Sequence, residues 1–187
     1  LMQIDINRLS REYAEKNILV IGDIILDAYI YGKVDRISQE APVPIVAIDR
    51  KKFKPGGAAN VALNLSGLGA NVQLLGVTGD DSNAEELQNC FQDSKNIQLH
   101  LVKDKSRPTI VKTRIIADGK QVVRLDEEIT SQISSLLIEE LIKVFNESCK
   151  DIDGIIIEDY NKGALPKEII YHIINHSSEH EIPVYVD

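Results

Sequence analysis

Four short apolar runs recur along the chain, Ile18-Leu19-Val20-Ile21, Val72 to Val77, Gly154 to Ile157 and Pro183 to Val186. Continuous apolar runs of this length predict strands buried on both faces. Between them lie stretches with helical apolar spacing: Ala58 to Leu68, Asn83 to Phe91, Ser131 to Cys149 and Pro166 to His176, with a short leading helix over Asn7 to Lys16. Strands that alternate with helices imply an α/β fold built on a parallel sheet covered on both faces. Two stretches break the rhythm. Val43 to Lys52 and Ile97 to Leu125 read as extended, Thr109 to Ile116 alternates with a period of two, and Ala117-Asp118-Gly119-Lys120 supplies a hairpin turn. A small antiparallel β lid is therefore expected to stand off the main sheet, drawn from about residues 33–55 and 97–125. Such a lid exposes edges and one apolar face, which a ligand or a second subunit covers, so a homodimer through the lid is expected.

The 187 residues suffice for one substantial domain, and two independent domains are not expected. With no Trp and few Phe, aliphatic side chains must fill the core. A net charge of -8 argues against a broad nucleic-acid footprint, which needs clustered Lys and Arg. Cys90 and Cys149 fit neither a disulfide framework nor a zinc site and read as small buried residues in a reducing compartment. No apolar run reaches membrane-spanning length and no signal peptide is evident, so a cytoplasmic protein without membrane contact is expected. There is no Gly-x-x-x-x-Gly-Lys-Ser/Thr sequence and no dinucleotide fingerprint. His172, His176 and His180 fall on one helix, but no carboxylate or strand context makes them a metal site.

Candidate chemistry gathers at strand ends. Gly56-Gly57-Ala58-Ala59-Asn60 follows an extended segment and opens a helix. Paired glycines let the backbone come close to a ligand, the first helical turn presents unpaired N–H groups, and Asn60 adds an amide that donates and accepts. A helix start packed tightly on a strand explains the same residues. Asp23 stands at the carboxyl end of the first strand, where α/β sheets collect ligands, and Asp27 follows four positions later. Either carboxylate is a candidate acceptor for sugar hydroxyls, or a cap for a turn or helix. Asp159 occupies the equivalent end of a later strand and Lys162 follows in the next turn, which is also the pattern of a solvated loop. Lys112, Arg114 and Arg124 lie on the expected lid strands, with Lys112 and Arg114 on one face; a phosphate or plain solvent would suit them.

Together these residues resemble the ribokinase-like (PfkB) carbohydrate kinases. The likeness rests on Gly22-Asp23, the Gly56 to Asn60 turn, and Leu68-Gly69-Ala70 leading to Gly76-Val77-Thr78-Gly79-Asp80. Arg36-Ile37-Ser38-Gln39-Glu40-Ala41-Pro42-Val43-Pro44, Arg107 to Arg114 and Asp159 to Leu165 are similar to segments of the heptose-7-phosphate kinases of lipopolysaccharide-core synthesis, although Gln39 stands where Pro is common and Asn161 where Ala is frequent. The resemblance implies a ribokinase-like parallel-sheet sandwich with a small antiparallel β lid. It implies transfer of the γ-phosphoryl group of ATP, with Mg2+ on the nucleotide phosphates, to the anomeric hydroxyl of D-glycero-D-manno-heptose 7-phosphate. Asp23, Gly56, Gly57 and Asn60 would hold the sugar, Asp159 and Lys162 would complete the pocket, and Lys112, Arg114 or Arg124 would meet the 7-phosphate. Residues 1–187 correspond to the N-terminal portion of such a domain. The family's Asn-x-x-Glu and Gly-Ala-Gly-Asp motifs, with the catalytic base, are expected beyond Asp187, so no metal ligand is assigned and the chain alone is expected to be inactive. The alternatives are a kinase for ribose, fructose or a nucleoside, and a noncatalytic sugar-phosphate-binding or dimerisation module.

Overall fold

One strand, β1 (Asn17–Ile37), is 21 residues long and runs through both sheets of the protein. The computed structural model describes residues 11–187. Of the expected leading helix, residues 7–10 lie outside the described residues and residues 11–14 are helical.

The first half of β1 is the centre of a parallel sheet. It pairs with β3 (Asn71–Thr78) on one side and β7 (Gly154–Glu158) on the other. Beyond these lie β4 (Ile97–Lys103) against β3 and β8 (Val184–Val186) against β7, giving the order β4-β3-β1-β7-β8. Successive residues of β1 enter opposite cores, as strand geometry requires. Leu19 and Ile21 pack with α3 (Ser135–Ser148) and α4 (Lys167–Glu179) through Leu141, Phe145, Ile169 and Ile173. Val20 and Ile24 pack on the other face with α1 (Ala58–Gly67) and α2 (Ser82–Asn89) through Ala58, Ala59, Ala62 and Leu87. Each fully buried Leu, Ile or Phe contributes about 1.5–3 kcal/mol, so the two cores explain why β1 tolerates no polar residue between Ile18 and Asp23. Cys149 lies in the α3 core, and burial pushes its thiol up to about 12, which makes it inert near neutral pH.

The second half of β1, from Ile24 onward, is the spine of the lid. It pairs antiparallel with β2 (Pro44–Gly57) and parallel with β5 (Ile110–Ala117), which in turn pairs antiparallel with β6 (Lys120–Glu127). The lid order is therefore β2-β1-β5-β6. The expected lid needs three corrections. It begins near residue 24 and not near 33, because β1 passes through Gly22 and Asp23 in extended conformation. Its central pairing is parallel, so only the two outer pairings are antiparallel. Finally, Ile97–Lys103 belongs to the main sheet. As an edge strand it is covered mainly on one side, where Leu99 and Leu101 pack against the α1 core, and so it alternates like a lid strand.

Asp81 fastens the lid to the sheet. Its side chain caps α2 by accepting the Ala84 N–H at 2.9 Å, and it also accepts the Thr109 N–H at 2.8 Å and the Thr109 hydroxyl at 2.7 Å. The start of β5 is thus pinned beside the carboxyl end of β3. Among the described residues, no helix is long and apolar enough to cross a membrane.

Candidate active site

Asp23 is the last residue of β1 paired to the main sheet, opposite Val77. Its side chain has no solvent exposure, Oδ2 accepts the Lys162 N–H at 3.1 Å, and Oδ1 has no partner. Burial raises the pKa of this carboxyl, and the nearby charge of Asp159 adds to the rise. The backbone N–H groups of Lys162, Tyr160 and Ala164 act in the opposite direction, favouring the anion. A buried, unpaired carboxylate oxygen at the carboxyl edge of a parallel sheet is expensive, and a polar ligand would satisfy it.

The glycine turn closes against the same residue. Gly57 takes φ 53 and ψ -137 at the N-terminus of α1, and a Cβ there would stand 2.4 Å from the Asp23 carbonyl oxygen. A Cβ at Gly56 would stand 2.7 Å from Asp27 Oδ2. No side chain caps α1 and no acidic residue lies in its first turn, so its leading N–H groups remain available as donors. Asn60 is exposed on that turn.

The remaining candidates are arranged differently from the sequence expectation. Asp27 is not a free carboxylate: its Oδ1 accepts from Arg114 Nη1 across the β1–β5 pair. Lys112 lies between Asp126 at 3.2 Å and Glu128 at 3.3 Å, and Arg124 reaches both oxygens of Asp126 at 2.9 and 3.0 Å. Asp159 accepts the Asn161 N–H at 2.8 Å, and Asn161 turns through a positive φ of 57°. That tight turn aims the Lys162 N–H at Asp23, so Asp159 shapes the site as well as carrying charge.

Sequence reasoning missed Glu128. Its two oxygens hold Lys162 Nζ at 2.7 Å and Lys112 Nζ at 3.3 Å, and Lys162 foremost holds its carboxyl below the usual range. The residue ties a lid strand to the loop that cradles Asp23. The only available signal was an acidic run, Asp126-Glu127-Glu128, set opposite Lys112 by the hairpin register.

Among the described residues, no group of three or more His, Cys, Asp or Glu side chains is placed to hold a metal ion. The two histidines of α4 and His180 just past its end stack instead, with His176 4.3 Å from His180 and 6.5 Å from His172 between ring centres, and His176 meets Phe145 edge-on.

The family model of the pfkB carbohydrate kinases matches residues 15–187. The chain is 43% identical over 170 residues to the bifunctional protein HldE of a Nitratiruptor species, an alignment covering 91% of this chain and 36% of that protein. It is 43% identical over 173 residues to HldE of Helicobacter pylori (strain Shi470), covering 92% and 37%. The chain thus spans little more than a third of these relatives. Among solved structures, a putative phosphofructokinase from Staphylococcus aureus superposes with a TM-score of 0.71 at 15% identity, over 91% of this chain and 52% of the other. A ribokinase from Arabidopsis thaliana complexed with ribose and ATP superposes with a TM-score of 0.62 at 14% identity, over 92% and 51%. With a buried carboxylate at the end of β1, a glycine turn closed against it and a lid grown from the same strand, the chain belongs to the pfkB family of carbohydrate kinases.

Proposed function

We propose that this chain is the sugar-binding and lid portion of an ATP-dependent kinase that phosphorylates the anomeric hydroxyl of D-glycero-D-manno-heptose 7-phosphate. The observation that carries the sugar-binding part is Asp23, fully buried with one oxygen unpaired beside the glycine turn. The HldE relatives, and the likeness of Arg36 to Pro44 and Asp159 to Leu165 to heptose-7-phosphate kinases, support that sugar over ribose or fructose.

In this function, Asp23 accepts hydrogen bonds from sugar hydroxyls, and its charge makes each bond stronger than one between neutral groups. Gly56 and Gly57 let the sugar approach the backbone, and the uncapped turn of α1 with Asn60 supplies donors. Asp159 and Lys162 complete the wall. ATP would supply the phosphoryl group, and Mg2+ would supply charge neutralisation for it. In this reading the sugar side and the lid contribute to the alignment and exclusion of water on which phosphoryl transfer depends. The test is calorimetric titration with heptose 7-phosphate, fructose 6-phosphate and ribose. Selective binding of the heptose phosphate is expected; a preference for ribose or fructose 6-phosphate would move the assignment to another sugar kinase.

The same proposal includes a homodimer through the lid. Strand register puts Ile30, Ile48, Ile115, Val123 and Leu125 on one face, with Ile48 and Leu125 more than half exposed. An apolar face of this kind on a thin sheet is stable when another surface covers it. Leu125→Glu is expected to convert a dimer into a monomer in sedimentation equilibrium with little loss of fold stability. A wild-type monomer at micromolar concentration would refute the dimer.

A further inference from the structure

The face of the lid opposite to that apolar surface is crowded with cations, although the chain as a whole carries -8. Register sets Asp27 and Tyr29 of β1 between Lys54 and Lys52 of β2 and Lys112 and Arg114 of β5. Tyr31 follows on β1, opposite Arg50, and Arg124 of β6 lies beyond Arg114. These cations are not equivalent. Lys112 and Arg124 are both committed to Asp126, and Lys112 also to Glu128. Arg114 gives Nη1 to Asp27 and to the Lys112 carbonyl, which leaves the rest of its guanidinium fork unassigned. Lys54, by contrast, has no carboxylate within ion-pair distance among the described residues. Its ammonium stands 5.6 Å from the centre of the Tyr29 ring, and the Arg114 guanidinium stands 5.4 Å from the same centre.

Two cations drawn to one tyrosine ring, one of them unpaired, make a seat for an anion. The seat lies at the right place along the strand. Lys54 is two residues before Gly56, which is about 7 Å of extended chain, and Asp27, its cross-strand partner, touches the space above Gly56. A sugar whose hydroxyls meet Asp23 and the glycine turn would therefore extend its far end toward Tyr29. We propose that Lys54 and Arg114, gathered at Tyr29, bind the phosphate carried by the sugar, and that Lys54 is the residue that separates a phosphorylated from an unphosphorylated sugar. Lys112 and Arg124, the other candidates by sequence, hold the lid hairpin together through Asp126. This inference rests on the sugar-phosphate reading given above.

The test is calorimetric titration of the protein as its gene encodes it, with heptose 7-phosphate and with the same heptose lacking its phosphate. Three forms are compared: wild type, Lys54→Ala, and Lys51→Ala on the opposite face as a control. Lys54 and Lys51 are exposed strand residues, and matching thermal melts verify that both variants fold. Lys54→Ala is expected to weaken heptose 7-phosphate about ten- to hundredfold, to leave the unphosphorylated sugar unchanged, and so to remove the discrimination; Lys51→Ala matches wild type. Wild type that favours the phosphorylated sugar while Lys54→Ala retains that preference overturns the assignment of Lys54 and leaves the proposed function standing. Wild type that binds neither sugar, or binds both equally, overturns the sugar-phosphate reading and this inference with it.

Discussion

Asp23→Ala is expected to weaken sugar binding by more than a hundredfold, and Asp23→Asn to change how stability depends on pH. The binding effect follows from the hydrogen bonds at stake. A carboxylate accepting from two hydroxyls contributes about 1.5–3 kcal/mol per bond, and two such bonds amount to a factor of about a hundred or more in affinity. The stability effect follows from burial. Desolvation raises the Asp23 carboxyl above its value of 3.8 in an unstructured chain, so the folded state favours the protonated form. Stability from this group is then fully present below 3.8 and is lost as pH rises through the higher folded value. At neutral pH the charged side chain costs stability, which the proposed role in sugar binding would explain. Urea unfolding of wild type and Asp23→Asn from about pH 3 to about pH 8 tests this. The amide adds whatever fixed offset it has at every pH, so the informative quantity is the change in their difference. The variant should gain on wild type as pH rises above 3.8, in the direction set by the raised Asp23 carboxyl, and a gap independent of pH would refute the argument.

Gly57→Ala is expected to cost about 3 kcal/mol of stability and to abolish sugar binding. Its φ of 53 with ψ of -137 is a conformation that side chains resist, at about 1–3 kcal/mol. The added methyl would also meet the Asp23 carbonyl oxygen at 2.4 Å, and that atom belongs to the backbone of β1, which cannot rotate away. Relief requires that the turn separate from the strand, and the strand carries the carboxylate. Gly67→Ala is the matched control, because a Cβ there meets nothing within 4 Å at the last turn of α1. That substitution should be neutral or stabilise by up to about 1 kcal/mol. Denaturant midpoints for the two variants decide the matter, and equal midpoints would sink the claim.

Four of the five parallel strands were legible as unbroken apolar runs, although β8 is an exposed edge and not buried on both faces, and β4 at the opposite edge alternates and so read as part of the lid. The lid hairpin was legible because Asp118 and Gly119 both take positive φ, 51° and 78°, as the Asp-Gly pair demands. The length of β1 was not legible. Gly22-Asp23 has the composition of a turn, but Gly22 stays extended, in a place where a Cβ would stand 2.1 Å from the Glu158 carbonyl oxygen of the adjacent strand. Glycine serves close approach at that point, and nothing in composition separates close approach from a chain reversal. In the candidate site, the placement of Asp23 at a strand end and of the glycine turn at a helix start could be read from the sequence, because both follow from where the apolar runs stop and begin. The ion pairs could not. Asp27 and Arg114 are 87 positions apart, and which cation pairs with which acid depends on register across three strands.

The unbroken passage of β1 from one sheet into the other gives the protein a mechanical property. The lid is joined to the main sheet through a continuous β-ribbon, and Asp23 stands at the place where that ribbon changes partners, from Val77 on one side to Gly57 and Ile110 beyond it. A lever whose fulcrum is also the proposed sugar-binding group cannot swing without tilting that group. Torque applied at the far end of the lid, near Ile37 or the Asp118-Gly119 tip, is delivered to the carboxylate with no slack loop to absorb it. Insertions at the tip would lengthen the arm and leave the fulcrum alone, whereas a flexible insertion between Asp23 and Ile24 would uncouple the two sheets while every residue of the site remained present.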